Sequence, residues 1–359
     1  MNQEQSSVSR KRILIRCDGS PPIGFGHLVR CLALADELRD QHGCEVSFGM
    51  LQGPTGVEQV QENGYLVYQP HLDSSGLLDE DRWLQELVSE VATQVLVLDV
   101  QTNLAVGAIR QIQEKGVLIV TIDDPSNRRL VADMAFYPPA PQVEKLDWTG
   151  FTGKRFVGWD WVLLRPQFAE AARRNIPEAK DSLSEPHGAD QQLTLLITMG
   201  GSDPAGLTLM ALEAIEKIDG NFRVLVAIGR GFMHESALTD WLAKAKRSYE
   251  IRRDVTDMAS LMVKANLAIA SFGVTAYELA AMGVPALYVC LTEDHAQAAR
   301  ALEAERVAIS MGHYQKTKPA DLSRVLSRAI RGEYSTKMCG QTTRCIDGLA
   351  VKRIASLLS

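Results

Sequence analysis

His27 follows two glycines and stands where a helix should begin, in "CDGSPPIGFGHLVR" (17–30). Imidazole titrates near neutrality and can take a proton from water or a hydroxyl held within hydrogen-bond reach. Gly24 and Gly26 let the backbone approach a ligand closely, and the amides at a helix start suit an anion or a developing negative charge. The stretch is not a dinucleotide fingerprint, since the third glycine of G-x-G-x-x-G falls on Val29, and no Gly-Lys-Ser/Thr follows to make a Walker A loop. On the glycines alone, a ligand turn and a purely structural turn stand even.

Two further turns carry suggestive groups. In "MGGSDPAG" (199–206), Gly201 and Ser202 offer amides and a hydroxyl, whereas Asp203 before Pro204 reads better as a helix cap than as a ligand group. "SFGVTAYELAAMGVP" (271–285) places Gly273 and Thr275 at a helix start, where they can grip phosphate. Glu278, one turn further on, is placed for ribose hydroxyls. It is the only charge in an apolar helix, so a solvated surface role does not fit it.

Short β-branched runs alternating with helical patterns must position these turns. Strands are expected at 12–18, 44–50, 94–100 and 117–124, and helices at 27–41, 56–63, 79–92 and 104–115. "MAFYPPAPQ" reads as a strand stopped by its prolines. Around 166–190 the pattern dissolves into a polar, Pro- and Ser-rich linker. The alternation then resumes, with strands at 193–201, 222–229, 265–271 and 285–291 and helices at 205–217, 234–247, 257–264 and 274–283. The predicted organisation is α/β, with an N-terminal Rossmann-like domain (12–165), a linker (166–190), a C-terminal Rossmann-like domain (191–338) and a closing helix (339–359) that crosses back. Ligands of such sheets bind beyond the carboxyl ends of the strands, so the turns should face a central cleft.

Together, "GFGHLVR", "MGGSDP", "GVTAYELAAMGVP" and "IDGLAVKRI" resemble the UDP-sugar hydrolases of pseudaminic acid biosynthesis and the similar spore-coat polysaccharide proteins. The resemblance covers residues 12 to 359 and implies the GT-B fold, with UDP held by the C-terminal domain. It implies that His27 is the general base that activates water at the anomeric carbon. It implies a diphosphate pocket of Gly201, Ser202, Ser271, Gly273, Val274 and Thr275, with Glu278 on the ribose. Uracil would be read around Thr256 to Met258, and Glu293, Asp294 and His295 would face the sugar.

Two departures fall at the sugar. The hydrolases' Asp-His-Tyr is here Asp99-Val100-Gln101, and their Asn-Gln is Asp294-His295. His295 is either a second cleft histidine or an ordinary helix-start residue. Asp18, Asp99 and Asp203 are possible supports for the site, Asp18 either by orienting His27 or by bracing its loop. Asp123 and Asp124 are an acidic pair with sugar, metal and turn readings, and Trp159 and Trp161 are expected to pack at the interdomain crossover.

The net charge of −6 over 359 residues offers no broad basic face for nucleic acid. The six cysteines show no zinc spacing, and neither metal nor cofactor is expected. There is no apolar segment of membrane-spanning length, and the polar start predicts a cytoplasmic protein. The expected partner is a UDP-sugar. Hydrolysis leads the expectations, followed by transfer of the sugar to an acceptor and then by binding without turnover.

Overall fold

The protein is described by a computed structural model covering residues 10–334 and 346–359, apart from 21–22, 52, 71–77, 166, 169 and 172–191. The expected linker therefore lies, from 172 onward, outside the described residues, as do Cys339 and Cys345.

Aliphatic runs such as "VLVLD" and "LTLLIT" are buried along their whole length, as strands covered on both faces must be. In the first half the chain runs β1 (Arg12–Cys17), α1 (Gly26–Asp40), β2 (Glu45–Gly49), α2 (Pro54–Glu62), β3 (Leu66–Tyr68), α3 (Glu80–Glu90), β4 (Val95–Asp99), α4 (Val106–Glu114), β5 (Leu118–Ile122), β6 (Met134–Tyr137) and β7 (Lys154–Val157). These strands form one parallel sheet, ordered β3-β2-β1-β4-β5-β6-β7.

The second half runs β8 (Leu193–Thr198), α5 (Leu207–Ile215), β9 (Phe222–Ile228), α6 (Glu235–Leu242), β10 (Glu250–Arg253), α7 (Met258–Met262), β11 (Leu267–Ser271), α8 (Val274–Ala281), β12 (Ala286–Cys290), α9 (Glu293–Ala304), β13 (Ala308–His313), α10 (Pro319–Ile330) and α11 (Ala350–Leu358). Its parallel sheet is ordered β10-β9-β8-β11-β12-β13.

Most expected elements are present with shorter ends. The strand expected to reach 201 stops at Thr198, because Gly200 turns the chain with φ 81°. The short edge strand β7 and the elements α9, β13 and α10 were not anticipated. β7 begins with two charged residues, and its place is set by pairing with β6.

Sheet order dictates where ligands can sit. β1 lies between β2 and β4, and β8 lies between β9 and β11, so in each sheet the chain reverses its winding direction there. At such a switch point the loops leave in opposite directions and open a crevice. The loops after β1 and β4 come from one crevice, and those after β8 and β11 from the other.

The two halves are tied together at the ends of the chain. Val351, Ile354, Ala355 and Leu358 of α11 share a core with Leu28 and Leu34 of α1, so the terminal helix packs on the first domain. Trp161 stacks with Phe136 and Phe156 of the first sheet, while Trp159 meets Tyr277 of α8 edge-on. The two tryptophans thus anchor opposite domains. Among the described residues no helix is long and apolar enough to cross a membrane.

Candidate active site in the cleft

Asp99 ends β4 level with Cys17 at the end of β1, at the switch point of the first sheet. Its carboxylate is 1% exposed and accepts from three residues of α1. His27 Nδ1 lies 2.6 Å from Oδ1, Arg30 donates through Nη2 to Oδ1 and through Nε to Oδ2, each at 2.6 Å, and Cys31 Sγ is 3.4 Å from Oδ2. A helix makes this possible because positions 27, 30 and 31 share one face.

Burial works to raise the Asp99 carboxyl, but Arg30 and His27 outweigh it and hold the group well below the ordinary carboxylate range. Asp99 is therefore an anion that can only accept, and His27 Nδ1 must carry a hydrogen. In that tautomer the lone pair lies on the other ring nitrogen, Nε2, and the side chain is 23% exposed. This is the base-and-orienter geometry of general-base catalysis.

Nε2 does not stand alone. The side-chain amide nitrogen of Gln101 lies 3.1 Å from it and, as a donor, matches the lone pair that the Asp99 contact leaves there. The loop that carries Gln101 is gripped on both sides. Arg128 Nη2 donates to Val100 O at 3.1 Å, Arg128 Nη1 donates to Thr102 O, and Thr102 Oγ1 donates to Glu80 at 2.9 Å. Arg128 and its partner Asp124 are themselves almost fully buried, paired at 2.8 Å. Asp123 meets Arg30 at 3.4 Å and holds a left-handed backbone, φ 53°.

The opposite wall is built from backbone rather than charge. α8 starts at Val274 behind Gly273 and has no side-chain cap; Ala276 N donates to Gly273 O at 3.0 Å, and among the described residues the amides of Val274 and Thr275 have no backbone acceptor and no capping oxygen. Ser271 is buried and Thr275 half-buried at this turn. The turn at Gly201 and Ser202 is braced from the next loop: Gly231 N donates to Gly201 O at 3.0 Å and Met233 N to Ser202 O at 3.3 Å. Only glycine fits at 229, where a Cβ would lie 2.6 Å from the Gly201 backbone. Glu278 is 3% exposed and accepts from Arg165 Nε at 3.0 Å. Burial pushes its carboxyl up, and Arg165 opposes that.

The three turns meet. A Cβ at Gly26 would lie 3.5 Å from Val274, and one at Gly201 would lie 3.0 Å from the Phe25 ring, so the His27 turn faces the uncapped helix and the second glycine turn. Gly24 supplies the left-handed residue, φ 83°, that lets the first turn fold back on Ser20.

Other candidates fall elsewhere. Asp18 does not touch His27: it accepts from Arg16 Nη1 at 2.7 Å and from Leu51 N at 2.8 Å, which makes it a brace for the loop. Asp203 caps α5, accepting from Leu207 N at 2.7 Å and Thr208 N at 2.8 Å, so those amides are already taken. The Glu293 side chain is engaged by Lys316 in an exposed ion pair. Asp294 is exposed, and its carbonyl accepts from Gln142 Nε2 of the first domain at 3.3 Å.

His295 combines both of its expected readings. Its amide donates to Thr292 Oγ1 as a helix-start residue, while its ring Nδ1 is buried with no hydrogen-bond partner among the described residues, and its ring lies 5.9 Å from that of Phe272. Burial pulls its pKa down, Asp294 opposes this, and His27 across the cleft adds to the lowering. Thr256 is exposed and Met258 half-buried where α7 begins. Among the described residues no group of three or more His, Cys, Asp or Glu is placed to hold a metal ion. The roles of Arg30, Arg128 and Arg165 were not read from the sequence. Arg30 alone had a visible signal, its place one helical turn after His27.

Comparison with known proteins adds names to this geometry. Residues 194–344 match the glycosyltransferase family 28 C-terminal domain. The spore coat polysaccharide biosynthesis protein SpsG of Bacillus subtilis is 23% identical over 350 residues, 96% of each chain. The UDP-2,4-diacetamido-2,4,6-trideoxy-beta-L-altropyranose hydrolase of Campylobacter jejuni is 28% identical over 210 residues, 57% of this chain and 66% of that one. An uncharacterized protein of Methanocaldococcus jannaschii is 25% identical over 288 residues, 79% of this chain but only 56% of its own length.

Among solved structures, MurG of Acinetobacter baumannii superposes with TM-score 0.69 at 17% identity, covering 97% of this chain and 99% of that one. The S. aureus MnaA–UDP structure gives TM-score 0.62 at 13% identity, over 96% and 94% of the two chains. The chain thus has a GT-B type fold, is similar to a spore coat polysaccharide biosynthesis protein and to a UDP-sugar hydrolase, and matches the glycosyltransferase family 28 C-terminal domain over residues 194–344.

Proposed function

We propose that this protein acts on a UDP-sugar in the making of a surface polysaccharide or nonulosonic acid, and that it hydrolyses a UDP-linked amino or deoxy sugar to UDP and free sugar. The observation that carries the reading is the 2.6 Å contact of His27 Nδ1 with the buried Asp99, which leaves Nε2 as an acceptor in the cleft. The diphosphate lies at the uncapped start of α8 with Gly201, Ser202, Ser271, Gly273 and Thr275, and Glu278 holds the ribose. This places the anomeric carbon between that helix and His27. Water donates to His27 Nε2, attacks the anomeric carbon and displaces UDP, while Asp99 stabilises the imidazolium that forms.

The match to a glycosyltransferase C-terminal domain supports a second reading, in which His27 takes its proton from an acceptor hydroxyl. Product analysis in isotopically labelled water, with a panel of UDP-2,4-diacetamido and related sugars, separates the two. Label in the free sugar and UDP release that His27→Ala abolishes are expected. Turnover that depends on an added acceptor would favour transfer, and wild type matching His27→Ala would end both readings.

A further inference from the structure

A buried ion pair needs a reason, because removing two charges from water is costly and replacing them with apolar residues is often neutral. Arg128 and Asp124 have no place in the chemistry just described, yet Arg128 spends its remaining donors on the carbonyls of Val100 and Thr102. Glu80, held by the fully buried Arg16 at 2.8 Å, takes the Thr102 hydroxyl. A buried charge network and a part-buried one therefore fix the residues on either side of Gln101, while Gln101 itself is exposed with its amide on the base nitrogen. That is the arrangement expected of a group whose position matters and whose side chain must move.

We propose that Gln101 positions the attacking water and selects it over an alcohol. The inference rests on the hydrolase reading and deepens it. The amide N–H of Gln101 meets His27 Nε2 as a placeholder donor. When water takes that position, the amide turns about its terminal torsion, which is soft, and offers Oε1 to the second hydrogen of the water. Both hydrogens of the water are then held, and a lone pair points at the anomeric carbon.

The step balances. The water oxygen bonds to the anomeric carbon, the bond from that carbon to the β-phosphate oxygen breaks, and UDP leaves with the electron pair. One proton goes to His27 Nε2, and the other stays on the new sugar hydroxyl against Gln101 Oε1. An alcohol has one hydrogen, spends it on His27 and leaves Oε1 unpaired, so the site disfavours it. Among the described residues the charged and titratable groups around His27 are Asp99, Arg30, Asp123 and His295, and the side chain bonded at Nε2 is that of Gln101.

The test uses the full-length protein, the UDP-sugar that the panel above identifies, and methanol as a competing nucleophile, with UDP, free sugar and methyl glycoside all quantified. Gln101→Ala is expected to lower kcat about 10- to 100-fold, as a misplaced reactant does, with KM changed less than about 2-fold. It is also expected to raise the glycoside-to-sugar ratio several-fold, and Gln101→Glu, which keeps an acceptor oxygen, to restore the wild-type ratio. The ratio does not depend on how much folded enzyme is present, so a merely structural role would not move it. A Gln101→Ala variant with wild-type kcat and an unchanged ratio overturns this inference and leaves hydrolysis standing. A wild type that releases no UDP, or that matches His27→Ala, overturns hydrolysis and this inference with it.

Discussion

The two halves of the cleft each bury a carboxylate, and they treat it in opposite ways. Asp99 in the first domain is saturated, with His27, Arg30 and Cys31 on its two oxygens, and its carboxyl is held far below the usual range. Glu278 in the second domain accepts from Arg165, and burial pushes its carboxyl up. The first domain invests full charges, mutually neutralised, to hold one imidazole. The second offers uncapped amides, hydroxyls and glycine turns, which suit an incoming anion that brings its own charge. On the proposed reading, chemistry belongs to one wall and nucleotide binding to the other.

The sharpest way to break that division is the same substitution on both sides. Asp99→Asn removes the obligate acceptor and lets the ring take the wrong tautomer, so kcat for UDP release should fall about 10³- to 10⁴-fold, on the scale the corresponding change has in serine proteases. UDP affinity, measured by calorimetry, should stay within about 2-fold. A variant that binds UDP poorly but turns over normally at saturation would mean that the walls are not separate.

The next largest effect tests whether the first wall's order depends on its buried charges. Arg128→Ala leaves Asp124 buried and unpaired, which should cost about 3–5 kcal/mol in denaturant unfolding. Arg165→Ala should cost less, because Arg165 is 27% exposed and the charge left behind can relax toward water. Equal losses at the two sites would remove the contrast. Glu278→Gln comes third: on the ribose reading it weakens UDP binding about 10-fold, or about 1.4 kcal/mol, with kcat at saturation nearly unchanged.

Much of this was legible in the chain. The alternation of strands and helices, the three turns and His27 were all read from local pattern, and the structure has them at strand ends around one cleft. The choice between Asp18 and Asp99 as support for His27 was not legible, and strand geometry explains why. Side chains alternate across a strand, so Cys17 faces the core under α1 while Arg16 and Asp18 face α3. Asp99 sits level with Cys17 and falls on the α1 face. Because both faces of a parallel sheet are apolar, the sequence carries no mark of which one α1 will cover. Gln101 could be flagged only as a departure from the hydrolases. Its contact with His27 spans 74 residues, and its brace, Arg128, lies outside any periodic pattern.

The smallest effect separates the two carboxylates by sign alone. A carboxyl whose folded pKa lies below its unfolded value adds stability above the unfolded value, about 4, and loses it as pH falls toward the folded one. That is Asp99. A carboxyl whose folded pKa is raised adds stability at low pH and loses it as pH rises through the folded value. That is Glu278. Thermal midpoints of wild type, Asp99→Asn and Glu278→Gln measured from about pH 3 to 8 should therefore diverge in opposite directions. The deficit of Asp99→Asn relative to wild type should grow as pH rises through the acid range, because the wild type regains a paired anion that asparagine cannot supply. Glu278→Gln should gain on wild type over the same rise, because glutamine never bears the buried charge. Parallel curves for the two variants would show that Arg165 neutralises Glu278 as fully as Arg30 and His27 neutralise Asp99, and the two walls would then differ in shape but not in charge.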